Sequence, residues 1–247
     1  MAKKINIGDD IKNKRKGISS SSREMDNKSK RRFYLIVCEG EKTEPNYFES
    51  LKNALPKGVL SVYDFKIDGT GYNTESLVRQ AIDLKIAWEN QLGGRKIDKL
   101  WVVFDKDSFK PEAFNNAIEM CLNNAPNVEA AWTNEAFELW YLLHFHFYNT
   151  GISRKQYQGL IEGNFRKQGL KDYKYKKNSP DMFKLLETYG SRENAIKNAI
   201  NLEKIYGTRA DFANHNPRTM VHKLVQELFG LMQISEDNEE KVSVPKE

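Results

Sequence analysis

The chain has little of what staples small folds together. It holds two cysteines in 247 residues, Cys38 and Cys121, far apart and without CxxC or Cys/His spacing. That argues against a disulfide framework or a structural zinc site and for two reduced, buried thiols. No apolar run approaches the roughly 18 residues that a membrane span requires, and no apolar stretch follows the basic residues of the N-terminus. Neither a membrane partner nor a secretory leader is expected, and a cytoplasmic location follows as an expectation.

What is present is a core and an uneven charge. The length suits one substantial domain, or one α/β domain with a smaller appendage, and the hydrophobic fraction of 39%, with 13 Phe, 11 Tyr and 4 Trp, is enough for its core. The net charge of +5 is concentrated: residues 1–32 carry 11 Lys/Arg against 4 Asp/Glu, which leaves about −2 for the rest. With Ser19 to Ser22 and few large apolar residues, 1–32 reads as a disordered basic tail, a solvated leader or an arm that reaches phosphate backbones. Residues 235–247 read as a flexible polar tail.

Between the tails the texture alternates. Phe33 to Cys38 is a short continuous apolar run, as in strands buried on both faces, and ends in Glu39-Gly40-Glu41-Lys42-Thr43-Glu44-Pro45. Gly40 suits a tight turn there, and Thr43 or Glu44 can open a helix with Pro45 near its first position. Val62 to Ile67 alternates like an edge strand. Leu77 to Trp88 has helical spacing before Gly93-Gly94, and Leu100 to Phe104 is a second fully apolar strand. Phe114, Ile118 and Leu122 mark a helix, Val128 to Trp132 a fourth strand, and Ala136 to Phe147 an apolar helix. The order β-α-β-α-β-α-β-α predicts an α/β, Rossmann-like, mostly parallel sheet flanked by helices. From about 150 the strand signals stop. Residues 151–234 read as a helical C-terminal region packing on the α/β domain of 33–150, with a last helix beginning after Asn216-Pro217.

Two acidic groups follow the two most apolar strands: Glu39, with Glu41, and Asp105-Lys106-Asp107. If those strands are neighbours, the carboxylates converge and repel unless a cation lies between them. Hard oxygen ligands of this kind suit Mg²⁺ or Mn²⁺, which bridge to phosphate oxygens and activate water. The Asp-x-Asp spacing is read as alternate strand residues projecting to one side. Glu138 lies inside an apolar segment, where a carboxylate is costly unless paired or ligating, and Asn134 is taken to share its helical face. Tyr173, Tyr175 and the lysines of 171–177 interleave as base-stacking and phosphate-contacting groups do.

These motifs carry a resemblance. Val37-Cys38-Glu39-Gly40 and Phe104-Asp105-Lys106-Asp107 look like the Toprim signature of topoisomerases, primases and overcoming-lysogenization-defect nucleases. More specifically, the blocks Ile36 to Phe48, Asn134 to Phe145 and Asn216 to Leu224 resemble the RloB family, encoded beside restriction–modification loci and in phage-defence operons, often with an ABC-type ATPase partner. The second block opens Thr133-Asn134-Glu135, where the family more usually has Ser-Asn-Pro. The resemblance implies a Toprim-type core and proton transfer by Glu39. It also implies metal held by Glu39, Asp105 and Asp107, with Glu138 a further catalytic candidate. Glu41, Lys42, Asn134, His144 and Lys176 become supporting or substrate-contacting candidates. The expected function is a Mg²⁺- or Mn²⁺-dependent nuclease of DNA or RNA, tRNA included, acting in anti-phage defence with an ATPase. A homo-oligomer is compatible with it. The alternatives are a non-catalytic nucleic-acid- or ATPase-binding module and a haloacid-dehalogenase-like phosphatase, although that fold normally places DxD after its first strand.

Overall fold

Strands form where the apolar runs fall. β1 (Arg32–Cys38), β2 (Leu60–Lys66), β3 (Lys99–Asp105), β4 (Val128–Asn134) and β5 (Arg218–Thr219) make one sheet in the order β2-β1-β3-β4-β5. The first four are parallel and β5 runs antiparallel to β4, so the fold is α/β with a mostly parallel sheet. A computed structural model describes residues 32–55, 60–66, 74–107 and 109–230. The expected tails lie outside the described residues, apart from Arg32 at the start of β1.

The continuous runs divide between two cores. Tyr34, Ile36 and Cys38 of β1, with Trp101 and Val103 of β3, face one side, where they meet α1 (Thr43–Ala54) and α4 (Glu138–Leu143). The same core takes in α5 (Arg154–Lys167), α6 (Met182–Tyr189), α7 (Arg192–Tyr206) and a last helix described over 221–230. Phe33, Leu35, Val37, Leu100, Val102 and Phe104 face the other side, against α2 (Thr74–Gln91), α3 (Pro111–Asn123) and a 3₁₀ turn at Phe212–Asn214. Burial on both faces is why these strands show no polar alternation. Gly93 and Gly94 end α2 at positive φ, with the Gly94 amide donating to Glu89 O. Cys38 and Cys121 are buried and neither is in a disulfide. Among the described residues no helix is long and apolar enough to cross a membrane.

Two expectations fail in detail. The helix expected over Ala136 to Phe147 is only Glu138–Leu143. Its last turn tightens, with Phe145 N donating to Leu142 O, and α7 takes carbonyls that a longer helix would need: Asn198 Nδ2 donates to Leu143 O, and Ser191 N to His144 O. The second correction is β5, which stands where the last helix was expected to begin. Met220 N donates to Trp132 O at 2.8 Å, and the buried Thr133 and Thr219 hydroxyls share a hydrogen bond of 2.9 Å. A two-residue strand is too short to leave a periodic signal.

Candidate functional site

The chain leaves β1 for β2 on one side and then crosses to β3 on the other. Reversals of this kind open a crevice beyond the carboxyl ends of the two central strands. Glu39 continues the pairing past β1, its amide donating to Val103 O at 2.9 Å. Its Oε2 then accepts from the Asp105 amide at 3.1 Å. The expected convergence of Glu39 and Asp105 is therefore the geometry of neighbouring strand ends.

Asp105 Oδ2 accepts from the Phe137 amide at 3.0 Å and from Arg154 Nη2 at 3.3 Å. Asp107 reaches the same guanidinium, its Oδ2 accepting from Nη1 at 3.1 Å. Strand alternation is not the reason. β3 ends at Asp105, and Asp107 lies in the following turn at φ 34°, the left-handed region that Asp tolerates better than most residues. Glu138, at the first position of α4, places Oε2 3.5 Å from Arg154 Nε, while its Oε1 accepts from Gln158 Nε2 and Tyr175 Oη, each at 3.1 Å.

Two details were not foreseen. Glu44 is buried in the first turn of α1, with its carboxyl folded onto Gly40. A Cβ at residue 40 would run into that carboxyl, so Gly40 matters for this close approach, and its φ is not in the left-handed region. The other is Arg154, whose position against the helix dipole at the start of α5 was the one available signal. From the sequence, Glu44 carries only the signal of a helix opener.

Six acids, Glu39, Glu41, Glu44, Asp105, Asp107 and Glu138, line a cleft of about 400 Å³ with the cations Lys42, Arg154 and Lys177. Glu41 and Lys42 are exposed at its rim. Burial, opposed by the Asp105 amide and reinforced by Glu44 and Asp107, pushes Glu39 up to about 7. Burial, with Glu44 beside it, raises Asp105 well above the usual carboxylate range, and burial likewise raises Glu44.

The remaining candidates stand apart from the cleft. Asn134 belongs to β4 and donates to Ala213 O at 2.8 Å, tying the strand to the 3₁₀ turn, so it shares no helical face with Glu138. The Asn134–Glu135 peptide bond, at the departure from Ser-Asn-Pro, is cis. His144 is buried, its Nδ1 paired with Trp140 O and its ring against the Trp140 indole. Burial lowers its pKa to about 4, so it packs as a neutral ring. Lys176 is exposed, and its neighbour Lys177 lines the cleft instead. Tyr173 packs on Phe165 with ring centroids 4.5 Å apart, and Tyr175 is committed to Glu138, so neither ring is free to stack on a base. Asn178 fixes this loop to α1, accepting from Thr43 Oγ1 at 2.7 Å and, through its carbonyl, from Asn46 Nδ2 at 2.8 Å.

Chemically the donors suit a hard divalent cation. Asp105 Oδ1 and Glu44 Oε2 are buried without a hydrogen-bond partner, a costly state for carboxylate oxygens. As the side chains stand, no three acidic, His or Cys groups among the described residues form a ready cage, and the guanidinium of Arg154 bridges three of the carboxylates.

No curated protein matches this chain, and no solved structure does. The model of the RloB-like proteins matches residues 34–228, a span that includes both central strand ends and the helices that close the cleft over them. The chain therefore belongs to the RloB-like family.

Proposed function

We propose that the acidic cleft is the active centre of a divalent-metal-dependent nuclease with a Toprim-like arrangement, acting in defence against phage. The observation that carries this reading is the pair of buried, unpartnered oxygens, Asp105 Oδ1 and Glu44 Oε2, among six acids at the β1/β3 crevice. Glu44, Asp105 and Asp107 would hold the Mg²⁺ or Mn²⁺, with Glu39 and Glu138 beside them. A bound ion of this type polarises a phosphoryl oxygen and lowers the pKa of a coordinated water.

The chain's own groups supply the rest. Glu39, its Oε2 anchored by the Asp105 amide, is the carboxylate placed to take and return a proton, and burial raises it to about 7 in the metal-free cleft. Gln158 and Tyr175 hold Glu138 in one rotamer, and the Phe137 amide does the same for Asp105. Lys42 and Lys177 at the cleft offer positive charge to a phosphate backbone. Family membership is consistent with a defence role, and the family resemblance suggests an ABC-type ATPase as partner. A phosphatase using Asp105 as nucleophile is less well supported: the motif follows the third strand, and Asp105 is tied to Phe137 and Arg154.

The test is cleavage of plasmid DNA and total cellular RNA with Mn²⁺, with and without any ATPase encoded beside the chain, by wild type and Asp105→Asn/Asp107→Asn. Mn²⁺-dependent cutting that disappears in the double variant is expected. Full cutting by the double variant would sink the mechanism.

A further inference from the structure

Arg154 binds three carboxylates at once. Its Nη2 is 3.3 Å from Asp105 Oδ2, its Nη1 3.1 Å from Asp107 Oδ2 and its Nε 3.5 Å from Glu138 Oε2. Every nitrogen of the guanidinium is spent on the cluster. The position is costly by itself, because a cation in the first turn of a helix opposes the helix dipole. The local sequence nevertheless holds it there. Ser153 precedes it as the N-cap, with its amide donating to Gln156 Oε1 at 3.0 Å, and Gln158, one turn on, donates to Glu138. The start of α5 is thus built around the carboxylates. Resting on the metal-dependent reading above, we propose that Arg154 is a positioning residue that serves as the cluster's internal cation, and that an entering divalent ion must displace it.

The geometry explains two facts together. The acids lie close, yet form no ready metal cage, because a guanidinium spans Asp105, Asp107 and Glu138. Two oxygens beyond its reach, Asp105 Oδ1 and Glu44 Oε2, stay unpartnered. A planar fork satisfies one oxygen on each of several carboxylates but cannot enclose them, whereas a spherical ion draws in the rest. The Arg154 side chain is 30% exposed, so solvent already reaches the group that has to move. The site therefore stays assembled without metal, and metal occupancy is reported to the start of α5 through the release of one side chain.

The test is Mn²⁺ binding by calorimetry at pH 8 with wild type, Arg154→Gln and Arg154→Lys, beside thermal unfolding in EDTA. Arg154→Gln should bind Mn²⁺ about ten- to a hundredfold more tightly, the factor set by a charge-assisted bond that no longer has to break. It should also melt below wild type in EDTA and regain the loss in Mn²⁺. Arg154→Lys, with a single point of charge, should lie between. In the wild type, Mn²⁺ should speed amide exchange over 149–158. Equal affinity in wild type and Arg154→Gln overturns the displacement while leaving the metal reading intact. No Mn²⁺ binding by either protein overturns both. Should Arg154→Gln not fold, wild-type affinity in Arg154→Lys or unchanged exchange over 149–158 overturns the proposal.

Discussion

Glu39→Gln should make the metal-free protein more stable while abolishing its chemistry. Glu39 is raised from 4.5 to about 7, so keeping it ionised in the fold costs free energy. A displacement of that size corresponds to roughly 3 kcal/mol, and solvent at the cleft mouth reduces it to about 1–2 kcal/mol. Gln keeps the shape, and its carbonyl can still accept from the Asp105 amide. The folded pKa lies above the unfolded one, so the native state holds the extra proton between them. The cost is absent below about pH 4.5, grows as pH rises, and is complete above 7. Thermal unfolding in EDTA should therefore show Glu39→Gln melting roughly 2–8 °C above wild type at pH 8, a gain that vanishes near pH 4.5. A variant no more stable than wild type at pH 8, or equally favoured at both pH values, would refute the reasoning. Mn²⁺-dependent cleavage by the same variant should fall to background.

Further predictions rest on single contacts. Gly40→Ala should lose at least about tenfold in Mn²⁺ affinity with unchanged far-UV circular dichroism, because its Cβ displaces the Glu44 carboxyl; wild-type affinity would exclude Glu44 from the site. For Glu89, burial alone would raise the pKa, but Lys96, Lys85 and the Ile97 amide outweigh it and pull it to about 2. Its stabilisation is present above about pH 4.5 and lost as pH falls towards 2, so Glu89→Gln should cost about 1–3 kcal/mol in urea unfolding at pH 7 and nothing near pH 2. Tyr47→Phe should cost about 1–3 kcal/mol in the same assay, because Trp140 Nε1 donates to Tyr47 Oη at 2.8 Å and would be left buried without an acceptor.

The parallel core was legible because each buried strand is an unbroken apolar run, and an acid directly after such a run marks the strand end facing the crevice. Glu39 and Asp105 were readable for that reason. Arg154 was not: it sits 49 residues beyond Asp105, inside a stretch with no strand signal, and its meaning depends on where α5 docks. Asn134 misleads because its spacing of four from Glu138 suggests one helical face, whereas it is the last residue of β4 and α4 begins only at Glu138. Within the third block, Asn216 to Leu224, β5 was hidden, since two residues carry no period.

The cleft draws its walls from distant parts of the chain, and this has a consequence during synthesis. Glu39, Glu44, Asp105 and Glu138 leave the ribosome before Arg154, Gln158, Tyr175 and Lys177. The strands that align the acids can pair while the residues that neutralise and brace them are still being made. At about 5–20 residues per second, that interval lasts on the order of several seconds. Throughout it the nascent chain carries a bare acidic crevice without the side chains that balance and brace it, so the cleft is complete only once the chain has been made beyond Lys177.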